Sequence, residues 1–113
     1  MLTESSTGDK LVHRYMDTNR DMKLRLSGQR ALWGNVPSSL RAASVALNGN
    51  RIRFRAIFDA GASSSDKEHL CFAAMDIIAD FEAPLTIEEE YLDVPAPSDM
   101  EHLQNLLFLR AEN

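Results

Sequence analysis

The clearest pattern of apolar and polar positions predicts a β-hairpin over residues 40–59. Its two halves flank Asn48-Gly49-Asn50, in which the Asn-Gly pair suits the positive φ values of a tight hairpin turn. In the second half every other residue is apolar, which is the period of a half-buried strand. The apolar face would carry Ile52, Phe54, Ala56 and Phe58, and the opposite face would carry Arg51, Arg53 and Arg55.

A helix is predicted at about residues 65–80, because apolar residues recur there at spacings of three and four. Ser64, Ser65 or Asp66 could cap its beginning, and Pro84 bars its continuation. The stripe consists of Leu70, Ala74, Ile77 and Phe81.

Two later segments favour strands. Residues 85–94 carry apolar and acidic side chains on both faces, which is typical of an edge or bulged strand. Residues 105–110 are apolar enough for a last strand, although they could instead extend a helix from Asp99. Earlier in the chain, Met22–Leu26 alternates like a strand or extended arm, and residues 28–33 could form a short helix ending at Gly34 or Asn35.

These elements predict a single α+β domain over residues 1–113. We expect a mostly antiparallel sheet, built from the hairpin 40–59 and strands near 85–94 and 105–110. One long helix, at about 65–80, would pack on one face of it. Residues 1–9 are expected to be flexible, and residues 10–21 could hold a short helix.

Composition narrows the class of protein. The chain has 113 residues and one cysteine, so an internal disulfide and a four-cysteine zinc site are excluded. No stretch approaches the roughly 18 apolar residues of a membrane span. The first ten residues lack the basic start and apolar run of a signal peptide, and we therefore expect a cytoplasmic protein.

The net charge of −5 is unevenly distributed. Residues 1–55 hold ten Lys or Arg and four Asp or Glu, a net charge of +6. Residues 56–113 hold two and thirteen, a net charge of −11. The basic and acidic segments could lie side by side and neutralise each other, or the acidic part could meet a basic partner.

Candidate catalytic chemistry is sparse. The three histidines, His13, His69 and His102, lack the spacing of a metal-binding pair, and we predict neither a metal nor a cofactor. Cys71 on the predicted helix is more often a small buried hydrophobe than a nucleophile. Trp33 is more often a core residue, but if exposed it would be a candidate binding hot spot.

The densest carboxylate cluster is Glu88-Glu89-Glu90 with Asp93. Adjacent solvated carboxylates lack the opposed environments that acid–base catalysis needs, so a solvated strand or a docking surface fits better. Nucleic acid is not an expected partner, because the phenylalanines beside the basic hairpin face would project away from it. Pairing of those arginines with residues 88–90 is the simpler interpretation.

The chain also resembles small bacterial immunity proteins of polymorphic toxin and contact-dependent growth inhibition systems. The resemblance covers about residues 22–112. The stretches that carry it are LRLSGQRALWGNVP (24–37), IRFRAIFDAGAS (52–63), IIADF (77–81), TIEEEYLDVPAP (86–97) and HLQNLLFLR (102–110).

This resemblance implies a non-catalytic protein that caps a cognate toxin domain, usually a nuclease. Since nucleases are often basic, we expect the acidic half to supply the contact. The expected contact residues are Glu88, Glu89, Glu90, Tyr91, Asp93, Asp99 and Glu101. The free protein would be a monomer or weak dimer. Two alternatives stay open: a homo-oligomer that pairs through a strand edge, and a small enzyme that uses His69, Cys71 or His102.

Overall fold

The computed structural model describes residues 19–112, which form two helices and one four-stranded sheet. The expectations for residues 1–9, and for residues 10–18 of the proposed first helix, lie outside this range. The elements are α1 (19–31), β1 (Leu40–Asn48), β2 (Arg51–Phe58), α2 (Ser64–Ala79), β3 (Thr86–Asp93) and β4 (Asn105–Leu109).

The sheet is mixed, with strand order β3-β2-β1-β4. Strand β1 is antiparallel to both β2 and β4, whereas β3 runs parallel to β2. The prediction of a mostly antiparallel sheet is therefore wrong for the β2–β3 pair. The physical reason is the helix between them: α2 carries the chain back along the sheet, and a strand that follows such a crossover adds in parallel.

The β-hairpin is confirmed, with Leu47 paired to Ile52 and Asn48 paired to Arg51. Gly49 and Asn50 form the turn between them. Gly49 has a φ of +60°, and no described residue other than glycine has a positive φ. Only the first of the two turn residues therefore has a positive φ, as in a type II′ turn. The strand prediction for residues 105–110 is also confirmed, and the helical alternative from Asp99 is not adopted.

The prediction of one long helix is wrong, because two helices cover the same face of the sheet. Residues 22–26 lie inside α1 and do not form a strand. The short alternation there coincides with a helical stripe in which Leu24, Ser27 and Ala31 are buried. The helix ends before Gly34, whose φ is +78°, as the sequence predicted.

Helix α2 matches the predicted span to within one residue. Its N-cap is Ser63, one residue before the predicted candidates. The Ser63 hydroxyl accepts from the Asp66 backbone N–H, and the Asp66 carboxylate accepts in return from the Ser63 N–H. Leu70, Ala73, Ala74 and Ile77 are buried in the core that α2 shares with α1 and the sheet.

The opposite face of the sheet is crossed by residues 94–104, here called the strap, which join edge strand β3 to edge strand β4. Arg41 Nη1 donates to the carbonyls of Val94 at 2.6 Å and Ser98 at 3.1 Å. The Leu103 N–H donates to Ser44 Oγ at 2.9 Å. These bonds hold the strap over the sheet, and no helix forms within it.

Candidate partner-binding surface

Strand β3, which carries the acidic cluster, lies at an edge of the sheet. Its register places Glu88 beside Arg53 and Glu90 beside Arg55. Because side chains alternate along a strand, Glu88 and Glu90 share the face of the three β2 arginines, whereas Glu89 turns toward the helices.

The two outer glutamates form ion pairs with the basic face of β2. Arg51 Nη1 lies 3.3 Å from Glu88 Oε2, and Arg55 Nε lies 2.5 Å from Glu90 Oε1. Arg53 Nη2 also lies 3.9 Å from Glu90 Oε1. The predicted pairing of the arginines with this strand is therefore confirmed, and part of the acidic half is neutralised internally.

Glu89 and Tyr91 lie on the helix side of β3. The Tyr91 hydroxyl donates to the Glu89 carboxylate, and the Tyr91 ring packs against Phe58 with centroids 6.4 Å apart. Burial raises the pKa of Tyr91, and the Glu89 carboxylate raises it further. Burial likewise raises the pKa of the neighbouring Cys71 thiol, which argues against a reactive thiolate. Half-buried Tyr91 is thus a packing residue more than a freely exposed anchor.

Of the remaining three expected contact residues, one lies beside α2 and two lie on the strap. Asp93 Oδ2 accepts from Lys67 Nζ of α2 at 3.2 Å. Asp99 and Glu101 are exposed on the strap, on the other side of the sheet from the helices. The backbone carbonyl of Glu101 accepts from Arg55 Nη1 at 2.9 Å, so its position is fixed while its carboxylate is exposed.

The structure therefore does not gather all seven expected residues on one face. Glu89 and Asp93 line the boundary between β3 and α2, whereas Asp99 and Glu101 lie on the strap side. Among residues 19–112, no Lys or Arg forms an ion pair with Glu89, Asp99 or Glu101. These three carboxylates are the part of the predicted set that can meet an outside cation directly.

The exposed apolar side chains of the helical layer include Trp33, Phe72 and Met75, of which only Trp33 was a binding candidate from the sequence. Trp33 follows α1 and is 77% exposed, which overturns its expected place in the core. Phe72 and Met75 on α2 are 48% and 57% exposed. Asn35 Oδ1 lies 3.2 Å from His69 Nδ1, so the segment after α1 contacts α2. His69 is three residues before Phe72 on that helix. The position of Phe72, outside the stripe formed by Leu70, Ala74 and Ile77, was the available signal.

The sequence model of the MafI2 immunity protein family matches residues 21–112. The chain belongs to this family. The resemblance to bacterial toxin immunity proteins is thereby confirmed over nearly the same residues. No curated protein matches the sequence.

Membership in the MafI2 immunity family indicates toxin neutralisation through a protein partner, a role that is generally non-catalytic. The residues of the enzyme alternative are not brought together as a catalytic pair would require. His69 contacts Asn35, Cys71 lies beside Glu89 and Tyr91, and exposed His102 belongs to the strap. No group of three His, Cys, Asp or Glu within residues 19–112 has the geometry of a metal site. None of the helices described is both long and apolar enough to span a membrane.

Proposed function

We propose that this chain neutralises a cognate toxin domain by binding it through an acidic surface. The family match over residues 21–112 carries this proposal, and the charge distribution supports it. The toxin would be basic, as a nuclease is, because a nuclease must attract a phosphate backbone. Binding would take place in the cytoplasm, as part of a contact-dependent inhibition system, with the free protein a monomer or weak dimer.

The acidic residues of the proposal are the seven expected from the sequence, which lie on both sides of the sheet and act in two ways. Glu89, Asp99 and Glu101 offer carboxylates without an ion-pair partner among the described residues. Glu88, Glu90 and Asp93 are paired, but an exposed ion pair is worth only about 0.2–1 kcal/mol. A lysine or arginine of the toxin can therefore replace the internal partner of such a carboxylate at little cost. Tyr91, the seventh residue, donates a hydrogen bond to Glu89.

Electrostatic steering would give this surface its function. Complementary charge raises the association rate between proteins, and the gain falls as salt screens it. An acidic inhibitor made in the same cell would thus capture a basic toxin quickly, before the toxin meets nucleic acid. The affinity itself would come from residues that lose their solvent on binding.

The test is binding of the toxin domain encoded next to this chain. We expect Glu89→Lys and Asp99→Lys each to weaken the complex about two- to fivefold, mainly by slowing association. The matched control is Glu82→Lys, which makes the same charge change at an exposed position before β3. Equal association rates for all three variants would place the interface elsewhere.

A further inference from the structure

The exposed apolar ridge on the helical layer is formed by Trp33, Phe72 and Met75. We infer that this ridge is the centre of the interface with the toxin domain, and that the carboxylates of the same layer, Glu68, Asp76 and Glu89, form its rim. The inference rests on the proposed function and deepens it, because it assigns the affinity to residues outside β3.

Trp33 follows α1, Phe72 and Met75 lie on α2, and the two helices are antiparallel neighbours on the same face of the sheet. At one end Ser27 Oγ donates to Asp80 Oδ2 at 2.6 Å, and at the other Asn35 contacts His69. Trp33 precedes Asn35 by two residues, and Phe72 follows His69 by three, which is nearly one helical turn. Met75 follows Phe72 at the same spacing, so α2 presents both residues on its outer side.

Single exposed apolar residues are ordinary, and these three are distinguished by their residue types. Trp33 is the only tryptophan in the chain and the most exposed of the large apolar side chains described. Tryptophan is the residue type most enriched at binding hot spots, and aromatic residues and methionine are enriched at interfaces. The ridge therefore has the composition of an interface centre.

The charge around the ridge identifies the chemistry of its occupant. Glu68 and Asp76 lie four residues before and after Phe72, on the same outer side of α2. Glu89 adds a carboxylate where β3 meets α2, beside Cys71. On the α1 side, Arg30 is paired with Asp80 at 3.4 Å, and exposed Lys23 lies over the Phe81 ring at 4.8 Å. An apolar centre with an acidic rim fits a partner that has an apolar patch surrounded by lysine or arginine.

A second copy of this chain fits the ridge poorly. Two-fold symmetry would bring the same patch of both copies together, so Glu68 and Asp76 would face the carboxylates of the other copy. Like charges across an interface oppose association. The basic toxin domain is therefore the occupant that the charges favour.

The test uses the toxin domain encoded next to this chain, which is purified together with the wild-type chain and then separated from it. Its affinity is measured for the wild type and for each variant. We expect Trp33→Ala and Phe72→Ala each to weaken binding about 30-fold, as hot-spot truncations do. The matched control is Leu109→Ala, which removes a similarly exposed apolar side chain, 53% exposed, from the far edge strand β4. Trp33→Ala should retain the Tm of the wild type, since the side chain is 77% exposed, whereas Phe72→Ala and Leu109→Ala, each about half exposed, should lower it slightly and by similar amounts.

A second measurement reports on Trp33 directly. Fluorotryptophan incorporated into this chain labels one site, so its fluorine NMR signal should shift when unlabelled toxin is added. The signal of the free chain should not depend on concentration, nor on removal of residues 1–18. A shift with concentration would assign the ridge to a second copy, and a shift after truncation would assign it to the chain's own first residues. Either result would overturn the inference.

The failures of the two proposals are distinguishable. If the wild-type chain does not bind the toxin, the proposed function fails and the inference fails with it. If the wild type binds, and Trp33→Ala and Phe72→Ala bind as tightly as Leu109→Ala, only the inference fails. Selective loss in Glu89→Lys and Asp99→Lys would then leave the acidic surface as the whole interface.

Discussion

Arg41 and Glu112 form a bidentate ion pair across 71 residues of sequence. Arg41 Nε and Nη2 each donate to a carboxylate oxygen of Glu112 at 2.8 Å. The Arg41 side chain is only 2% exposed, and its remaining nitrogen donates to carbonyls of the strap. The Arg41 guanidinium therefore binds both the strap and the segment after β4 to strand β1. Its pairing with Glu112 is the planar, bidentate arrangement that arginine forms with carboxylates.

This ion pair predicts that the fold loses stability in acid. The hydrogen bonds from Arg41 lower the pKa of Glu112 to about 2, against an ordinary value of 4.5. A lowered pKa in the folded state means that the stabilisation is complete above about pH 4.5 and is lost as the pH falls toward 2. Asp59, whose pKa is lowered by Arg110 at 2.7 Å, contributes with the same sign.

Urea unfolding as a function of pH checks this expectation. The free energy of unfolding should fall between about pH 4.5 and 2 in the wild type, and Glu112→Gln should fall less steeply there. Glu112→Gln should also be less stable at neutral pH, because it leaves the buried Arg41 without its counter-charge. The exposed Glu82→Gln serves as control, and an identical pH profile for Glu112→Gln and wild type would contradict the assignment.

The packing of α1 against β4 predicts an unusual pair of substitutions. A Cβ added at Gly28 would lie 2.5 Å from Leu107 Cδ1 and 3.2 Å from Leu107 Cγ. Gly28→Ala should therefore destabilise the protein by about 1 kcal/mol, since overpacking costs about 1–3 kcal/mol and alanine returns up to about 1 kcal/mol of helix propensity.

The sign should reverse when Leu107 is shortened. In a Leu107→Ala background, Gly28→Ala has room for its methyl group and should stabilise by up to about 1 kcal/mol. Chemical denaturation of the four variants of this cycle measures both effects. Additive changes would mean that α1 and β4 do not contact at these residues.

The hairpin, α2 and the strand positions could be predicted because each has a strong local signal. Helix α1 was predicted only over residues 28–33, since Ser27 and Gly28 occupy buried positions where a helical stripe ordinarily carries apolar side chains. Strand β3 was placed correctly but not its direction, although a helix between two strands was itself a signal for parallel pairing. The acidic cluster was predicted, but the sequence left open whether it pairs with the β2 arginines or meets a basic partner. The register of β3 against β2 decides this, because it places Glu88 and Glu90 beside the arginines.

Trp33 gives a simple optical prediction. Because the only tryptophan of the chain is 77% exposed, its fluorescence in the native protein should be that of a solvated indole. We expect efficient quenching by iodide and little change in emission wavelength on unfolding in urea. A strong red shift on unfolding, with poor quenching beforehand, would place Trp33 in the core and contradict its assignment to the ridge.

Charge reversal along β3 should separate folding from binding. Glu90→Lys places a cation beside Arg53 and Arg55, so we expect a loss of about 1 kcal/mol in the free energy of unfolding. Glu89→Lys, on the other face, faces neither arginine and should be less destabilising. Thermal and urea unfolding decide between them, and equal losses would argue against the ion-pair ladder. Glu89→Lys is accordingly the cleaner probe of binding.

The measurement that tests the central claim most directly is co-expression with the toxin domain encoded next to this chain. We expect the wild-type chain to restore growth and to co-purify with that domain in a one-to-one complex, whose association rate falls as salt is added. Cells that stay poisoned while the chain is folded and abundant, with no complex recovered at low salt, would contradict a toxin-neutralising role for this protein.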